Sequence, residues 1–345
     1  MSAGLLDQAG ADHVHADHVD TPVLKAPSAN VARRPASSPI WVHLLLFLLT
    51  LFTTTALGMR YMVNFNQGKP PLTSNEDIVP HLWIAGHLNL LPLGLPFSLT
   101  LLAILLAHEF AHYAACRYVG VRASLPYLLP APTLSGTVGA VIRLRSRMRS
   151  RKALLLIGAS GPIAGFLVAI VTTWIGLANS RPEPAVPTPS IVQFNPPLLL
   201  QIFHVLVQGT NHSLPDIYNI VPHPMVVASW VGVLITAVNL IPAGQLDGGH
   251  ILYAISPKAH QIGTQITIGV LALLGTVYWI GWLLWAMLLM LPAMKHPNVP
   301  LDDEMKPWQV GVIAVCGMIF LLCFSLQPFA NASLVAEFSR ITWGR

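Results

Sequence analysis

The stretch Leu99–Tyr118, LTLLAILLAHEFAHYAACRY, sets two histidines and a glutamate inside an otherwise apolar run. About twenty apolar residues cross a bilayer as one helix, and a charged side chain at its centre costs at least ~2.5 kcal/mol. His108, Glu109 and His112 therefore stand where ionisable groups are expensive, in the spacing H-E-x-x-H. Residues four apart share a helical face, so both imidazoles reach one ion while Glu109 sits beside them. A random chain of this composition would hold the pattern about 0.01 times. Two satisfied core histidines are the plainer alternative, but they leave the glutamate unexplained. The pattern predicts one Zn2+ per chain.

Working outward, the 345 residues are 54% hydrophobic and 10% charged. Soluble domains carry roughly 25% charged residues, so an ordinary soluble enzyme and a disordered chain are both excluded. Apolar runs near Ile40–Met59, Leu95–Cys116, Ala153–Ala178, Pro224–Ile241, Ile262–Leu291 and Val310–Leu326 predict an all-α polytopic membrane protein of about six transmembrane helices. The fifth run is long: it either tilts as one helix or breaks near Gly275–Gly281 into two. Residues 1–39 read as a polar tail, 40–327 as the membrane domain with its core at 95–256, and 328–345 as a short second tail. The first tail lacks the pattern of a secretory signal. His13, His15 and His18 either bind metal loosely or are chance members of a solvated tail. Cys116, Cys316 and Cys323 are too few for a disulfide framework.

Eight of the 19 basic residues fall in 117–152, at Arg117, Arg122, Arg143, Arg145, Arg147, Arg149, Arg151 and Lys152, with no acid among them. Basic loops stay on the cytoplasmic side, which accounts for the net charge of +5 without nucleic acid. Six alternating spans then place both termini inside and loops 60–94, 179–223 and 292–309 outside. The expected location is a bacterial inner membrane.

Catalytic zinc takes three protein ligands. Spans two and four end on the same side in this topology. The fourth is followed by Asp247, in Val238-Asn239-Leu240-Ile241-Pro242-Ala243-Gly244-Gln245-Leu246-Asp247-Gly248-Gly249-His250. Asp247 is the only acid between Asp216 and Asp302, which makes it the candidate third ligand; a helix-capping Asp is the alternative. Cys116, four residues past His112, is either a further ligand or a small apolar filler.

His108-Glu109-Phe110-Ala111-His112 together with N-x-x-P-x-x-x-x-L-D-G-G resembles the site-2 protease family of intramembrane zinc metalloproteases. Gly158-Ala159-Ser160-Gly161-Pro162-Ile163-Ala164-Gly165, Pro126–Pro130 and Gly136–Ala140 add to the likeness, which covers roughly 95–300. Many members carry G-P-x-x-N where this chain has Gly165. The resemblance implies that His108, His112 and Asp247 ligate zinc, that Glu109 is catalytic, and that Asn239 lies near the scissile carbonyl. The 179–223 gap is too short for the PDZ domain found in part of the family.

For Asn239, an oxyanion donor and an interhelical hydrogen bond are both open. Residues 126–145 combine a proline-rich start with β-like alternation over Thr137–Arg145. They read either as a membrane-associated edge strand that binds unwound substrate through Gly136, Gly139 and Ala140, or as a plain loop. The implied partners are the lipid bilayer and a transmembrane protein substrate, with a membrane-tethered anti-sigma factor or regulator as one candidate. The competing function is a transporter using the His/Glu cluster as an ion or proton relay.

Overall fold

Helix α1 (Ile40–Asn66) wears its apolar side chains outward: Leu44, Leu45, Leu48, Leu49 and Phe52 are exposed, whereas Thr50 and Thr54 are buried. Thr54 meets the buried Ser98 across the helix interface at 2.6 Å between hydroxyl oxygens. An exposed apolar face over a small polar interface suits lipid, where helices associate through close packing and short hydrogen bonds. The computed structural model describes residues 39–330, apart from 75, 76, 78, 79, 187, 191, 211–213, 302 and the side chains of 81 and 82. Almost all of the two tails, with His13, His15 and His18, lies outside the described residues.

After α1 come the short helix α2 (His81–Gly86) and a 3-10 turn, Leu88–Gly94, that leads into α3 (Leu95–Tyr118). Two strands, β1 (Tyr127–Pro130) and β2 (Thr137–Val141), precede α4 (Arg151–Ala178). A two-residue strand β3 (Arg181–Pro182), helix α5 (Leu198–Thr210) and strand β4 (Ile220–Val221) lead to α6 (Pro224–Asn239). The chain ends through α7 (Asp247–Ile255), α8 (Pro257–Val277), α9 (Gly281–Met290) and α10 (Pro307–Cys323). Helices α6, α8 and α10 open on a proline, whose missing N–H costs nothing at a helix start. Ser150 and Ser256 cap α4 and α8 by accepting from Ala153 N–H at 3.2 Å and Ala259 N–H at 3.3 Å.

Helices α3, α4 and α6 pack together as the inner bundle, their apolar side chains forming one core with α7. Among the described residues, four segments are long and apolar enough to cross a membrane: Ile40–Asn66, Leu88–Tyr118, Arg151–Ala178 and Pro257–Val277. Helices α6 and α10, at 16 and 17 residues, stand at the fourth and sixth expected spans. The protein is an integral membrane protein of polytopic, mostly helical design.

The structure decides one open reading of the topology and corrects two expectations. First, the fifth run breaks, as the second of its two readings had it, between Val277 and Gly281, and α9 folds back on α8. A Cβ at Gly275 would lie 2.5 Å from Leu283, so the two helices touch. Second, this hairpin returns the loop after α9 to the basic side, not the outer one. There Arg151 donates its N–H to Asp303 Oδ1 at 3.0 Å and its Nε to the Asp303 carbonyl at 2.9 Å, and its guanidinium reaches the Ala254 carbonyl. Third, α10 therefore runs to the opposite side, where Asn195 N–H donates to Pro328 O at 2.9 Å and Ala330 N–H to Gln193 O at 3.0 Å. The described chain enters α1 on one side and leaves α10 on the other. Helix α5, within the expected outer loop, was also unforeseen: its 13 residues are too short for a span.

The β-like segment forms a hairpin, with Tyr127 opposite Val141, Leu128 opposite Ala140, Leu129 opposite Gly139 and Pro130 opposite Thr137. An isolated bridge between Ala123 and Leu144 continues the ribbon. It is fastened to α1 by Thr53, whose hydroxyl donates to Gly136 O at 2.7 Å. Gly136 has φ +77°, and a Cβ there would come 2.8 Å from the Thr53 backbone, so only glycine fits.

Candidate metal centre

Two parallel helices and the turn after one of them bring the donors together. Helix α3 presents His108 and His112 one turn apart, both buried. Helix α6 runs beside α3 and ends at Asn239, and the chain turns through 240–246 to start α7 at Asp247. The turn needs Gly244, at φ +58°. His108 Nε2 and His112 Nε2 lie 3.0 Å apart, and Asp247 Oδ2 lies 3.2 Å from the first and 3.3 Å from the second. Ligand atoms on tetrahedral zinc with bonds near 2.0–2.1 Å are about 3.3–3.4 Å apart. The two edges to Asp247, at 3.2 and 3.3 Å, come close to those of one face of such a site, while the edge between the histidines is shorter at 3.0 Å; two imidazoles and one carboxylate are a catalytic-type set. Among the described residues this is the single group of three or more such donors.

The second ring nitrogen of His112 meets the Ile157 carbonyl of α4 at 2.6 Å. A carbonyl only accepts, so Nδ1 carries the hydrogen and Nε2 presents its lone pair to the centre. The glycines of α4 make this approach possible. A Cβ at Gly161 would sit 2.2 Å from His112 Nε2, one at Gly158 3.0 Å from Asp247 O, and one at Gly165 3.3 Å from His108 Cβ. At Gly165, α4 thus packs tightly on His108.

Glu109 is buried and stands outside the donor triangle, with a backbone hydrogen bond joining its carboxylate to Ile142, one residue past β2. Asn239 Nδ2 lies 3.3 Å from His108 Nε2, so this amide links α6 to α3 and faces the donor cluster. Gly136, Gly139 and Ala140 lie on the hairpin, not among the donors. Cys116 is fully buried and outside the donor group, as a filler would be. A cavity of about 390 Å³ lined by Phe194, Tyr218 and Trp230 lies towards the opposite side and shares no residue with this centre.

The surroundings of Asp247 go beyond what the sequence motifs indicate. His250 Nδ1 lies 2.8 Å from His296 Nε2, and the Tyr253 ring stacks on His296 with centroids 4.0 Å apart. His260 Nε2 donates to the Gly244 carbonyl at 2.9 Å. Burial pushes His296 down to about 4, so its ring is neutral near pH 7. The available signal was the histidine closing D-G-G-H and the isolated His-Pro at 296–297.

A polytopic helical membrane protein with two histidines of one helix and an aspartate of another converging at depth, beside a buried glutamate, defines a class of membrane metallopeptidase-like proteins. The family model described as Peptidase family M50 matches residues 96–277, more than half the chain, and the chain belongs to that family. The likeness read from the motifs is thereby confirmed. Similar curated proteins include the "Probable zinc metalloprotease EGY2, chloroplastic" of Oryza sativa subsp. indica, 31% identical over 245 residues, which are 68% of this chain and 42% of that protein. Its Arabidopsis thaliana counterpart is 29% identical over 263 residues, 71% of this chain and 44% of that protein. The "Probable zinc metalloprotease EGY1, chloroplastic" of Arabidopsis thaliana is 28% identical over 312 residues, 85% of this chain and 54% of that protein. The chain spans about half the length of these relatives.

Proposed function

We propose that the protein is an intramembrane zinc metalloprotease that hydrolyses peptide bonds within or beside transmembrane segments. The observation that carries this reading is the buried triangle of His108, His112 and Asp247 with Glu109 next to it. Zinc held by these three residues would supply Lewis acidity to the scissile carbonyl and to water. Glu109 takes the proton of the attacking water and hands it to the leaving amine. Asn239, facing the same space, donates its amide to the oxyanion. Gly161 and the Ile157 carbonyl hold the His112 ring in place throughout.

A transmembrane helix hides its peptide bonds, so the substrate must unwind, and unwound backbone in lipid needs partners. Among the described residues no strand pairs with the second edge of β2. Substrate adds to that edge, along Gly136, Gly139 and Ala140, and the Glu109–Ile142 bond ties the strand to the catalytic carboxylate. Membrane-tethered regulators, anti-sigma factors among them, are the substrate class that the family likeness suggests. The arginine-rich loop supports a cytoplasmic side for the basic face, and the membrane we infer is a bacterial inner membrane.

The test is Glu109→Gln in the full chain reconstituted into liposomes with transmembrane substrates. The variant should keep its zinc and lose cleavage by at least about 100-fold. Cleavage equal to the parent's, or a parent that never cleaves any transmembrane segment but moves ions, would overturn the proposal.

A further inference from the structure

The turn that delivers Asp247 is held from two directions. From α8, His260 donates to Gly244 O at 2.9 Å, and Thr264 Oγ1 accepts Gly244 N–H at 3.2 Å. From the segment after α9, the carbonyls of Ala293 and Lys295 both accept the Gln245 side-chain amide at 2.7 Å. The same segment closes over α7: Val299 N–H donates to Tyr253 Oη at 3.2 Å, His296 stacks on Tyr253, and His296 meets His250. His250 follows Asp247 by three residues, so the two share a face of α7.

Hydrogen placement gives this contact a direction. His296 Nδ1 is 2.7 Å from the Pro297 carbonyl, which can only accept, so Nδ1 carries the ring hydrogen. In the neutral ring Nε2 is then an acceptor, and His250 Nδ1 is the donor. The His250 ring is thus fixed on α7, one helical turn from the metal-ligand carboxylate, by a side chain from a separate segment.

We propose that His296 is a positioning residue for the metal centre: through His250 and Tyr253 it fixes the first turn of α7 and so the Asp247 carboxylate. The proposal rests on the reading of His108, His112 and Asp247 as a metal site. Residues that orient metal ligands are worth about 10–100-fold in affinity, and this one acts on the ligand that comes from a turn rather than from a long helix.

The experiment measures zinc affinity by chelator competition in the full chain, with thermal unfolding of the zinc-free protein as the control. His296→Ala should weaken zinc binding by about 10–100-fold while the zinc-free protein unfolds at an unchanged temperature. The unfolding shift produced by added zinc should shrink accordingly. His296→Gln, whose amide oxygen can accept from His250, should recover most of the affinity. A His296→Ala protein within about twofold of the parent, or one whose loss is matched by a destabilised zinc-free fold, overturns the proposal. So does a Gln variant as weak as the Ala variant. A parent that binds no zinc fails at the metal reading itself and overturns both.

Discussion

At Gly161 one methyl group decides where the His112 ring can sit, because a Cβ would stand 2.2 Å from His112 Nε2. Gly161→Ala should therefore push the His112 ring off its Ile157 anchor and lower zinc affinity by at least about 100-fold. Atomic absorption on the purified variant checks this, and full zinc retention would show that α4 yields instead. The donors themselves were legible in sequence, since H-E-x-x-H in a hydrocarbon-length run has little other use and Asp247 was the single acid in reach. The role of Gly161 was not: a small-residue run announces close packing, but not which atom it makes room for.

Among the elements, the segment between α1 and α3 is pinned by an ion pair. Arg60 Nε lies 2.5 Å from Asp77 Oδ1, and Asp77 Oδ2 accepts from Thr73 N–H at 2.7 Å, Thr73 Oγ1 at 2.9 Å and Ser74 N–H at 3.0 Å. Burial alone would raise the Asp77 carboxyl, but these donors and the Arg60 charge hold it below the ordinary carboxylate range. A lowered folded pKa contributes stability that is complete above the unfolded value, about 3.9, and is lost as pH falls through the folded one. Asp77→Asn should cost about 2 kcal/mol at neutral pH. The gap between the two proteins should close below about pH 4. Thermal unfolding at several pH values measures both, and a gap independent of pH would contradict the assignment. Apart from α5, the helices were legible because hydropathy dominates lipid-facing segments, and the break in the fifth run was one of the two readings its length allowed. The ribbon was legible as strand-like, but its register depends on Thr53 and Gly136, 83 residues apart in sequence.

For the whole molecule, the sequence predicted sidedness by counting alternations, and one hairpin was enough to shift every later loop. Helices α8 and α9 together occupy what reads as one long run, so Asp303 lands beside Arg151 and not outside. Single cysteines at Arg147→Cys and Lys295→Cys should label from the same face of sealed vesicles, and Glu183→Cys from the other. Lys295→Cys labelling with Glu183→Cys would restore the single-span reading. Convergence of α3 and α7 on one ion is the claim on which the rest depends, and zinc K-edge X-ray absorption on the zinc-loaded full chain tests it most directly. The expected spectrum shows one zinc per chain, with nitrogen and oxygen neighbours only at about 2.0–2.1 Å and the shell altered in Asp247→Ala. A sulfur neighbour at about 2.3 Å, or a spectrum unchanged by Asp247→Ala, would contradict it.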